Sequence, residues 1–337
     1  MIHGVSFHGT GTGYFKVWIV NTLLKVITLG AYSAWAKVRK RRYFAEKTIL
    51  DDEPFEYLAN PRLLFRGWLI AAAVFIVYGL TIKFTPILGQ ILAIAITAVI
   101  PWVVVKSRIF NARNTAYRNV RFGYAPNYKE AYMVMLLLPL LLIPTLGILY
   151  PYVRYRQKRL RVENTSYGTT PFRFYSTSGE FYKLFLKALL WFLGAMVLVI
   201  LISGIGGRSI GLDMKQVYIF SFVLGFLSSL LTIVYIETAI TNLTWNSTEL
   251  DSLQFGCSLN PLVVFWLYFS GAIAVILSFG LLFPWASVRI MRYQCEQMTV
   301  HSKGGIALFV AEAAAVTSGA VGEEVGDMFD MDMEIGF

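Results

Sequence analysis

The chain has 337 residues, of which 56% are hydrophobic and 15% are charged, and its formal net charge is +10. Its mean hydropathy is +0.58. Soluble domains contain about 45–50% apolar and about 25% charged residues, so the composition excludes an ordinary soluble domain and indicates an integral membrane protein. Most lysines and arginines directly follow hydrophobic segments, as they do in cytoplasmic loops. We therefore attribute the positive charge to membrane topology, and we expect no nucleic-acid partner.

Seven stretches are apolar enough to enter a bilayer. They cover residues 14–35, 64–85, 87–105, 131–151, 184–205, 216–236 and 262–286. Four offer about 19–22 mostly apolar residues, the length that a hydrocarbon core requires. These four form two pairs, 64–85 with 87–105 and 184–205 with 216–236, the second joined by a glycine-rich connector around residues 204–208. We predict four full spans in two helical pairs.

The other three stretches share one motif: a hydroxyl residue, an apolar residue and a glycine, then an aromatic residue and a basic segment. The glycines are Gly30, Gly147 and Gly280; the aromatic residues are Trp35, Tyr152 and Trp285; the first arginines are Arg39, Arg156 and Arg289; and the pairs at i,i+4 are Arg42 and Glu46, Arg159 and Glu163, and Arg292 and Glu296. Such self-similarity is typical of a repeated structural unit.

Two topologies remain open for these three stretches. If all seven stretches crossed, segments 36–63 and 106–130 would be cytoplasmic, but 152–183, with seven lysines and arginines, would be exported. Basic residues near spans are retained in the cytoplasm. The sequence therefore favours segments that break at glycine and return on the same side. Full crossing by some of them stays an alternative, above all for 262–286.

The polar stretches repeat as well. Threonine precedes phenylalanine by seven residues at Thr48/Phe55, Thr115/Phe122, Thr165/Phe172 and Thr248/Phe255, with Asp, Asn or Gly between them. This pattern predicts β-hairpins. A degraded fifth copy is expected over 299–310, and residues 5–9 resemble a second strand alone. Because isolated hairpins are marginal in water, we expect them to pair into one cytoplasmic sheet or ring.

The predicted fold is an α-helical multi-pass membrane protein with an A-B-A-B-A repeat order in a single membrane domain, 1–337. The units are A 5–57, B 58–124, A 122–174, B 175–257 and A 255–310, followed by an acidic tail, 311–337. Segments 36–63, 106–130 and 152–183 and the C terminus are expected in the cytoplasm. The first residues lack the order of a cleavable signal, so we expect the mature chain to begin at or near Met1.

Several of these motifs point to a known family. They are Phe15, Asn21-Thr22-Leu23-Leu24, Thr28-Leu29-Gly30-Ala31-Tyr32, Trp35-Ala36-Lys37-Val38-Arg39, Arg42-Tyr43, Phe55-Glu56-Tyr57, Arg108, Asn111, Asn114-Thr115, Phe283-Pro284-Trp285, Val288-Arg289, Arg292-Tyr293 and Gly322-Glu323-Glu324. Over essentially the whole chain, the sequence resembles the YjgN-like family of bacterial inner-membrane proteins, a domain of unknown function. The resemblance implies a multi-pass protein of the bacterial plasma membrane and brings no catalytic residues.

The sequence offers little that predicts chemistry. The three histidines lack ligand spacing, Cys257 and Cys295 form no CxxC pair, and no nucleotide-binding or hydrolase motif occurs. We therefore expect no enzyme, no metal and no cofactor. The cores of the four spans also contain few ionisable groups, which disfavours ion-coupled transport.

Two functional hypotheses follow. In the first, the protein is a channel, permease or lipid-handling protein whose pore or pocket lies at the three glycine breaks and their aromatic neighbours. The repeated arginines and glutamates then bind anionic lipid or form structural ion pairs. In the second, the protein is a non-catalytic scaffold that docks a partner through its β-hairpins and acidic tail. Membrane lipids are the expected partners, and a homo-oligomer or a membrane-protein partner is left open.

Overall fold

The computed structural model describes residues 1–203, 213–306 and 309–310; the connector at 204–208 and the tail at 311–337 lie outside the described residues. The helices are α1 (Gly11–Ile27), α2 (Ser33–Lys47), α3 (Pro61–Phe84), α4 (Pro86–Arg113), α5 (Tyr128–Tyr132), α6 (Leu138–Leu140), α7 (Tyr150–Glu163), α8 (Ser178–Leu201), α9 (Met214–Asn246), α10 (Pro261–Leu277) and α11 (Phe283–Glu296). A π-helical turn, Met133–Leu137, joins α5 to α6.

The strands are short and belong to one antiparallel sheet. They are β1 (Ile2–Phe7), β2 (Thr48–Leu50), β3 (Glu53–Tyr57), β4 (Thr115–Tyr117), β5 (Val120–Tyr124), β6 (Thr165–Tyr167), β7 (Thr170–Pro171), β8 (Arg173–Phe174), β9 (Thr248–Leu250), β10 (Leu253–Cys257) and β11 (Met298–Ser302). Their order is β7-β6-β5-β4-β3-β2-β1-β11-β10-β9-β8. Phe172 alone separates β7 from β8 along the chain, so the order nearly closes into a barrel. The prediction of one common sheet is confirmed.

The register shows how successive units join. The first residues of β3 pair with β2 of the same hairpin, as Pro54 does with Ile49. Its last residues pair with β4 of the next unit, as Phe55 does with Tyr117. The same division recurs in β5, whereas in β10 all five residues pair with β11 and the first two also pair with β9. Each longer strand thus connects two units. Hairpins that would be marginal alone therefore stabilise one another in the common sheet.

Local chemistry explains the repeated threonine and the turns. Asp51 and Asp52 have φ values of 48° and 63°, and Arg118 and Asn119 have 46° and 64°. Two successive left-handed residues make the turn that suits a two-residue β-hairpin. The threonine hydroxyl that opens each short strand donates to the carbonyl four residues earlier, at 2.6–2.8 Å, in Thr48, Thr115, Thr165 and Thr248. The four predicted hairpins are confirmed.

The expected fifth hairpin is wrong in its second strand. After β11, Ile306 and the pair Phe309–Val310 are helical rather than extended. The position expected for that second strand, next to β11, is occupied by β1 from the N terminus. Strand β1 pairs with β11 on one side and with β2 on the other. The fifth unit is therefore assembled from the two ends of the chain. An isolated N-terminal strand without a hairpin partner was the available signal for this closure.

Units A and B share one topology. A helix leaves the sheet after β1, β3, β5, β8 and β10, and another returns before β2, β4, β6, β9 and β11, giving the pairs α1–α2, α3–α4, α5–α7, α8–α9 and α10–α11. Each departing helix starts behind a Thr or Asn cap, at Thr10, Asn60, Asn127, Thr177 and Asn260. Four helices, α3, α4, α8 and α9, are long and apolar enough to cross a membrane, as predicted. The breaks after α1, α6 and α10 are also confirmed.

The inside of the near-barrel is a hydrophobic core. Side chains from all five units meet there: Leu50, Tyr117, Val120, Tyr167, Leu250, Leu253 and Val300, joined by Ile306, Phe309 and Val310. The Phe309 ring stacks on Tyr167 with centroids 5.8 Å apart. Tyr167 donates a hydrogen bond to the Tyr117 carbonyl, and Tyr117 donates to the Leu50 carbonyl. Small barrels are filled by side chains in this way.

Candidate functional site

The three repeated glycines form the same backbone turn. Gly30, Gly147 and Gly280 have φ values of 91°, 82° and 91°, in the left-handed region that favours glycine. Each glycine N–H donates to the carbonyl five residues earlier, at 2.7–2.9 Å, as in other helix C-terminal turns. The apolar residues before them, Leu29 and Phe279 for example, are 91% and 99% exposed. Turn geometry fully accounts for these glycines, and it places each at the tip of a helix pair.

The aromatic residues beside these turns contact their own or the neighbouring helix pair. Trp35 lies 5.1 Å from the Phe65 ring of α3. Tyr152 lies within hydrogen-bond distance of Arg156, at 3.3 Å, and Trp285 lies beneath the Arg289 guanidinium at 5.3 Å. The first contact joins α2 to α3, whereas the other two lie within single helices, α7 and α11. The structure does not bring the three aromatic residues to one another.

The repeated Arg–Glu pairs differ between the copies. Arg159 and Glu163 form the expected ion pair, with Nε and Oε2 2.9 Å apart. Arg42 instead donates to the Tyr57 carbonyl at 3.4 Å, and Arg292 donates to the Gly9 carbonyl at 3.0 Å. Within the described residues, neither of these two arginines forms an ion pair with its i+4 glutamate, Glu46 or Glu296. Arg42 ties its returning helix to the last residue of β3, and Arg292 ties its helix to the loop after β1.

The first arginine of each copy also has a different partner. Arg39 lies over the Tyr32 ring at 5.6 Å. Arg156 donates to Glu130 of α5 at 2.9 Å, and Arg289 donates to the Ser270 hydroxyl of α10 at 2.9 Å. The Arg156 pair borders an open hollow of about 350 Å³ between α5 and α7, lined by Asn127, Lys129, Glu130, Met133, Arg156, Arg159 and Glu163. We call this side of α7 its outer face. Its two arginines, Arg156 and Arg159, both have carboxylate partners.

The opposite face of α7 carries a second basic stripe. Arg154, Lys158 and Arg161 are spaced i, i+4 and i+7, which puts them on one side of the helix. Arg154 pairs with Glu237 of α9, with Nη2 and Oε1 2.6 Å apart. This contact joins two returning helices, α7 and α9, directly. We call Arg154, Lys158, Arg161 and the nearby Arg108 of α4 the inner basic cluster.

The cations of this cluster lower one another's pKa values. Burial, together with the charges of Arg161 and Arg154, lowers the pKa of Lys158 to about 8. Burial and the charges of Arg108 and Arg154 also lower the pKa of Arg161. Arg161 nevertheless remains accessible to solvent. Like charges gathered in a partly desolvated region repel one another.

Arg108 is held in position by a tyrosine. Its Nη1 donates to the Tyr124 hydroxyl at 3.1 Å, and its guanidinium lies 5.8 Å from the same ring. Below it, Val105 of α4 packs in one core with Leu160 of α7. Helices α4 and α7 share this core with Ala131 of α5 and Val134 of the π-helical turn. The inner basic cluster is built on rigid returning helices.

A groove of a different character lies between α8, α9 and α10. Its volume is about 370 Å³, and its lining residues are Trp191, Ala195, Leu227, Ser228, Leu231, Phe265, Trp266 and Phe269. Apart from Ser228, the lining side chains are aliphatic or aromatic. The Ser228 hydroxyl oxygen is buried and has no hydrogen-bond partner. An unpartnered hydroxyl in apolar surroundings is unfavourable, so the wall of the groove contains one unsatisfied donor.

Neither the groove nor the inner basic cluster was singled out from the sequence. The i, i+4, i+7 spacing of Arg154, Lys158 and Arg161 was the available signal, but it served only as evidence for topology. The groove had no signal, because its lining comes from three separate apolar helices. Among the described residues, no group of three or more His, Cys, Asp or Glu side chains could hold a metal ion. Cys257 and Cys295 are both free and buried.

Comparison with known proteins places the chain in a family. It is 37% identical over 150 residues to the inner membrane protein YjgN of Salmonella typhimurium strain LT2, and this match covers 43% of the chain and 37% of the relative. It is 28% identical over 149 residues to the inner membrane protein YjgN of Escherichia coli strain K12, covering 44% of the chain and 37% of that protein.

These alignments therefore span little more than a third of the curated relatives' own length. No solved structure shows a significant match. A family model described as "Bacterial protein of unknown function (DUF898)" matches residues 2–328, which is nearly the whole chain. The chain belongs to the DUF898 family, with distant homology to the inner membrane protein YjgN.

Proposed function

We propose that the protein is a lipid-handling protein of the bacterial inner membrane, and that the groove between α8, α9 and α10 holds a lipid acyl chain. The carrying observation is the groove itself, whose lining side chains are aliphatic or aromatic apart from Ser228 with its unpartnered hydroxyl. Its volume of about 370 Å³ lies in the range of about 300–1,000 Å³ found for small-molecule sites. A lipid ester carbonyl would accept the hydrogen bond that Ser228 lacks.

Membrane placement supports this function. The four long helices cross the bilayer, whereas α1 and α10, with 17 residues each, reach only about 25 Å and fall short of a hydrocarbon core of about 30 Å. The short pairs therefore enter the membrane and return to the sheet from which they start. The near-barrel and segments 36–63, 106–130 and 152–183 then lie together in the cytoplasm, in agreement with their basic residues.

The competing hypotheses have less support. A solute channel needs an open path, but the near-barrel interior is filled by apolar side chains, and the glycine breaks are explained by turn geometry. A scaffold that adds partner strands needs an open sheet edge. In the described strand order, only β7 and β8 have a free side, and they are consecutive in the chain. The proposed activity moves lipid and requires no covalent chemistry.

The test compares lipid movement by purified protein in liposomes. Ala195→Trp fills the groove, and the matched control Ala73→Trp places the same bulk on the exposed surface of α3. We expect the wild type and the control to accelerate transbilayer exchange of a fluorescent phospholipid, measured by dithionite reduction, and Ala195→Trp to slow it. Equal rates in the two variants would refute the groove as the lipid path.

A second variant separates lipid binding from folding. Ser228→Ala removes only the unpartnered hydroxyl, and removal of a buried donor without a partner is neutral or stabilising. We therefore expect unchanged thermal stability but less ester-linked phospholipid retained through purification, measured by mass spectrometry. If the wild type retains no lipid and exchanges none, while a protein partner co-purifies in stoichiometric amount, the scaffold hypothesis replaces this proposal.

A further inference from the structure

The two faces of α7 are neutralised to different extents. On the outer face, Arg156 pairs with Glu130 and Arg159 pairs with Glu163, each at 2.9 Å. On the inner face, Arg154 pairs with Glu237 at 2.6 Å. Throughout the described residues, no carboxylate forms an ion pair with the other inner cations. The outer face therefore shows how the arginines of this helix are neutralised when they serve a structural purpose, and the inner face can be compared with it.

The inner basic cluster has a net charge of about +3. It contains four cations, Arg108, Arg154, Lys158 and Arg161, against one carboxylate, Glu237. Gathering like charges in a partly desolvated region costs free energy, since each charge loses hydration and repels its neighbours. Binding of an anion among these cations would therefore stabilise the folded protein.

The chemistry of the cations selects among anions. A carboxylate carries one charge and two oxygens, which leaves most of the cluster uncompensated. A phosphate group carries up to two charges and three strong acceptor oxygens, and the arginine fork binds phosphate through two parallel hydrogen bonds. The cluster can balance this charge and donate to these oxygens, because it contains three arginines, from α4 and α7, and one lysine. The cluster is also accessible, since Arg161 remains exposed to solvent.

We propose that the inner basic cluster is an anion site for a phosphate group, either the head group of an anionic lipid or a soluble phosphate. The site is distinct from the acyl-chain groove. Glu237 follows Ser228 by nine residues on α9, and at 100° per residue this places the two on opposite faces of the helix. The inference therefore extends beyond the proposed function and does not depend on it.

Binding of inorganic phosphate to the purified full chain in detergent is the first test. We expect phosphate to raise the melting temperature in a saturable way, because a ligand that binds only the folded state stabilises it. Chloride at equal ionic strength should not do so. Arg161→Gln and Lys158→Met should each weaken phosphate binding by about tenfold or more, the effect of losing about 1.4 kcal/mol.

The matched control is Arg159→Gln on the outer face of the same helix. It removes one positive charge from α7 but leaves the inner basic cluster intact, so phosphate affinity should stay within about twofold of the wild type. Equal loss in Arg159→Gln and Arg161→Gln would show a non-specific charge effect and overturn the proposal. The inner variants should fold, because each relieves repulsion within the cluster.

A second arm identifies the source of the phosphate. Protein purified without phosphate is placed in nanodiscs of phosphatidylcholine with or without phosphatidylglycerol. Retention of phosphatidylglycerol by the wild type and by Arg159→Gln, but not by Lys158→Met, assigns a lipid head group. Binding of free phosphate without lipid selectivity assigns a soluble ligand. If neither ligand distinguishes the wild type from Lys158→Met, the inner basic cluster is not an anion site.

Discussion

Lys158→Met should stabilise the empty protein near neutral pH, although it removes a charged residue from a membrane protein. Burial and the neighbouring arginines lower the pKa of Lys158 from 10.5 to about 8. That difference corresponds to about 3 kcal/mol of unfavourable interaction with the protonated form. Lys158 is partly exposed, so screening by solvent reduces the figure, and we expect a gain of roughly 1–3 kcal/mol.

The gain should depend on pH in a defined direction. Because the folded-state pKa lies below the unfolded value, the unfolded chain binds more protons between pH 8 and 10.5, and wild-type stability contributed by this group rises across that window. Below pH 8 the whole penalty is present. The advantage of Lys158→Met should therefore be constant below pH 8 and shrink as the pH approaches 10.5.

The assay is unfolding in detergent micelles titrated with sodium dodecyl sulfate, followed by tryptophan fluorescence at several pH values. Lys40→Met, on the exposed surface of α2, is the matched control and should change the free energy of unfolding by no more than about 0.5 kcal/mol. A destabilised Lys158→Met at pH 7, or a gain that persists unchanged at pH 10.5, would refute the electrostatic reasoning. Added phosphate should reduce the difference by stabilising the wild type selectively.

Two further predictions concern the near-barrel and its sidedness. Phe309→Ala should destabilise the protein by about 3–5 kcal/mol, because it removes a buried ring that stacks on Tyr167. The control is Phe84→Ala, at an exposed helix end. Equal losses of stability in the two variants would contradict the assignment of Phe309 to the core of the near-barrel. Asp251→Cys, in the β9–β10 turn, should resist a membrane-impermeant thiol reagent in intact cells, whereas Thr85→Cys, between α3 and α4, should react. The native cysteines are buried, and labelling at Asp251→Cys in intact cells would place the near-barrel outside the cytoplasm.

Features encoded within a few neighbouring residues were predictable. The four spans follow from runs of apolar residues, and the breaks follow from hydroxyl–apolar–glycine motifs that satisfy their own backbone carbonyls. The four hairpins follow from turn residues such as Asp51-Asp52, which adopt left-handed φ. Repetition added information, because the same local solution in several copies is difficult to misread.

Long-range partners were not predictable in the same way. Among the described residues, Arg159–Glu163 is the one repeated i,i+4 pair that forms, because Arg42 and Arg292 donate to the backbone carbonyls of Tyr57 and Gly9 instead. Sequence spacing permits such a pair but does not exclude a better acceptor elsewhere. The fifth hairpin failed for the same reason, since its second strand comes from the opposite end of the chain.

The sequence by itself determined membrane class, helix lengths, break points and hairpins, because each depends on periodicity, composition and short-range hydrogen bonds. Only the tertiary structure decided which faces of the returning helices meet. It separated the neutralised outer face of α7 from Arg154, Lys158 and Arg161 on the inner face, and it assembled an apolar groove from three helices. Charge balance and concavity depend on residues that are distant in the chain, so they exist only once the helices are packed together.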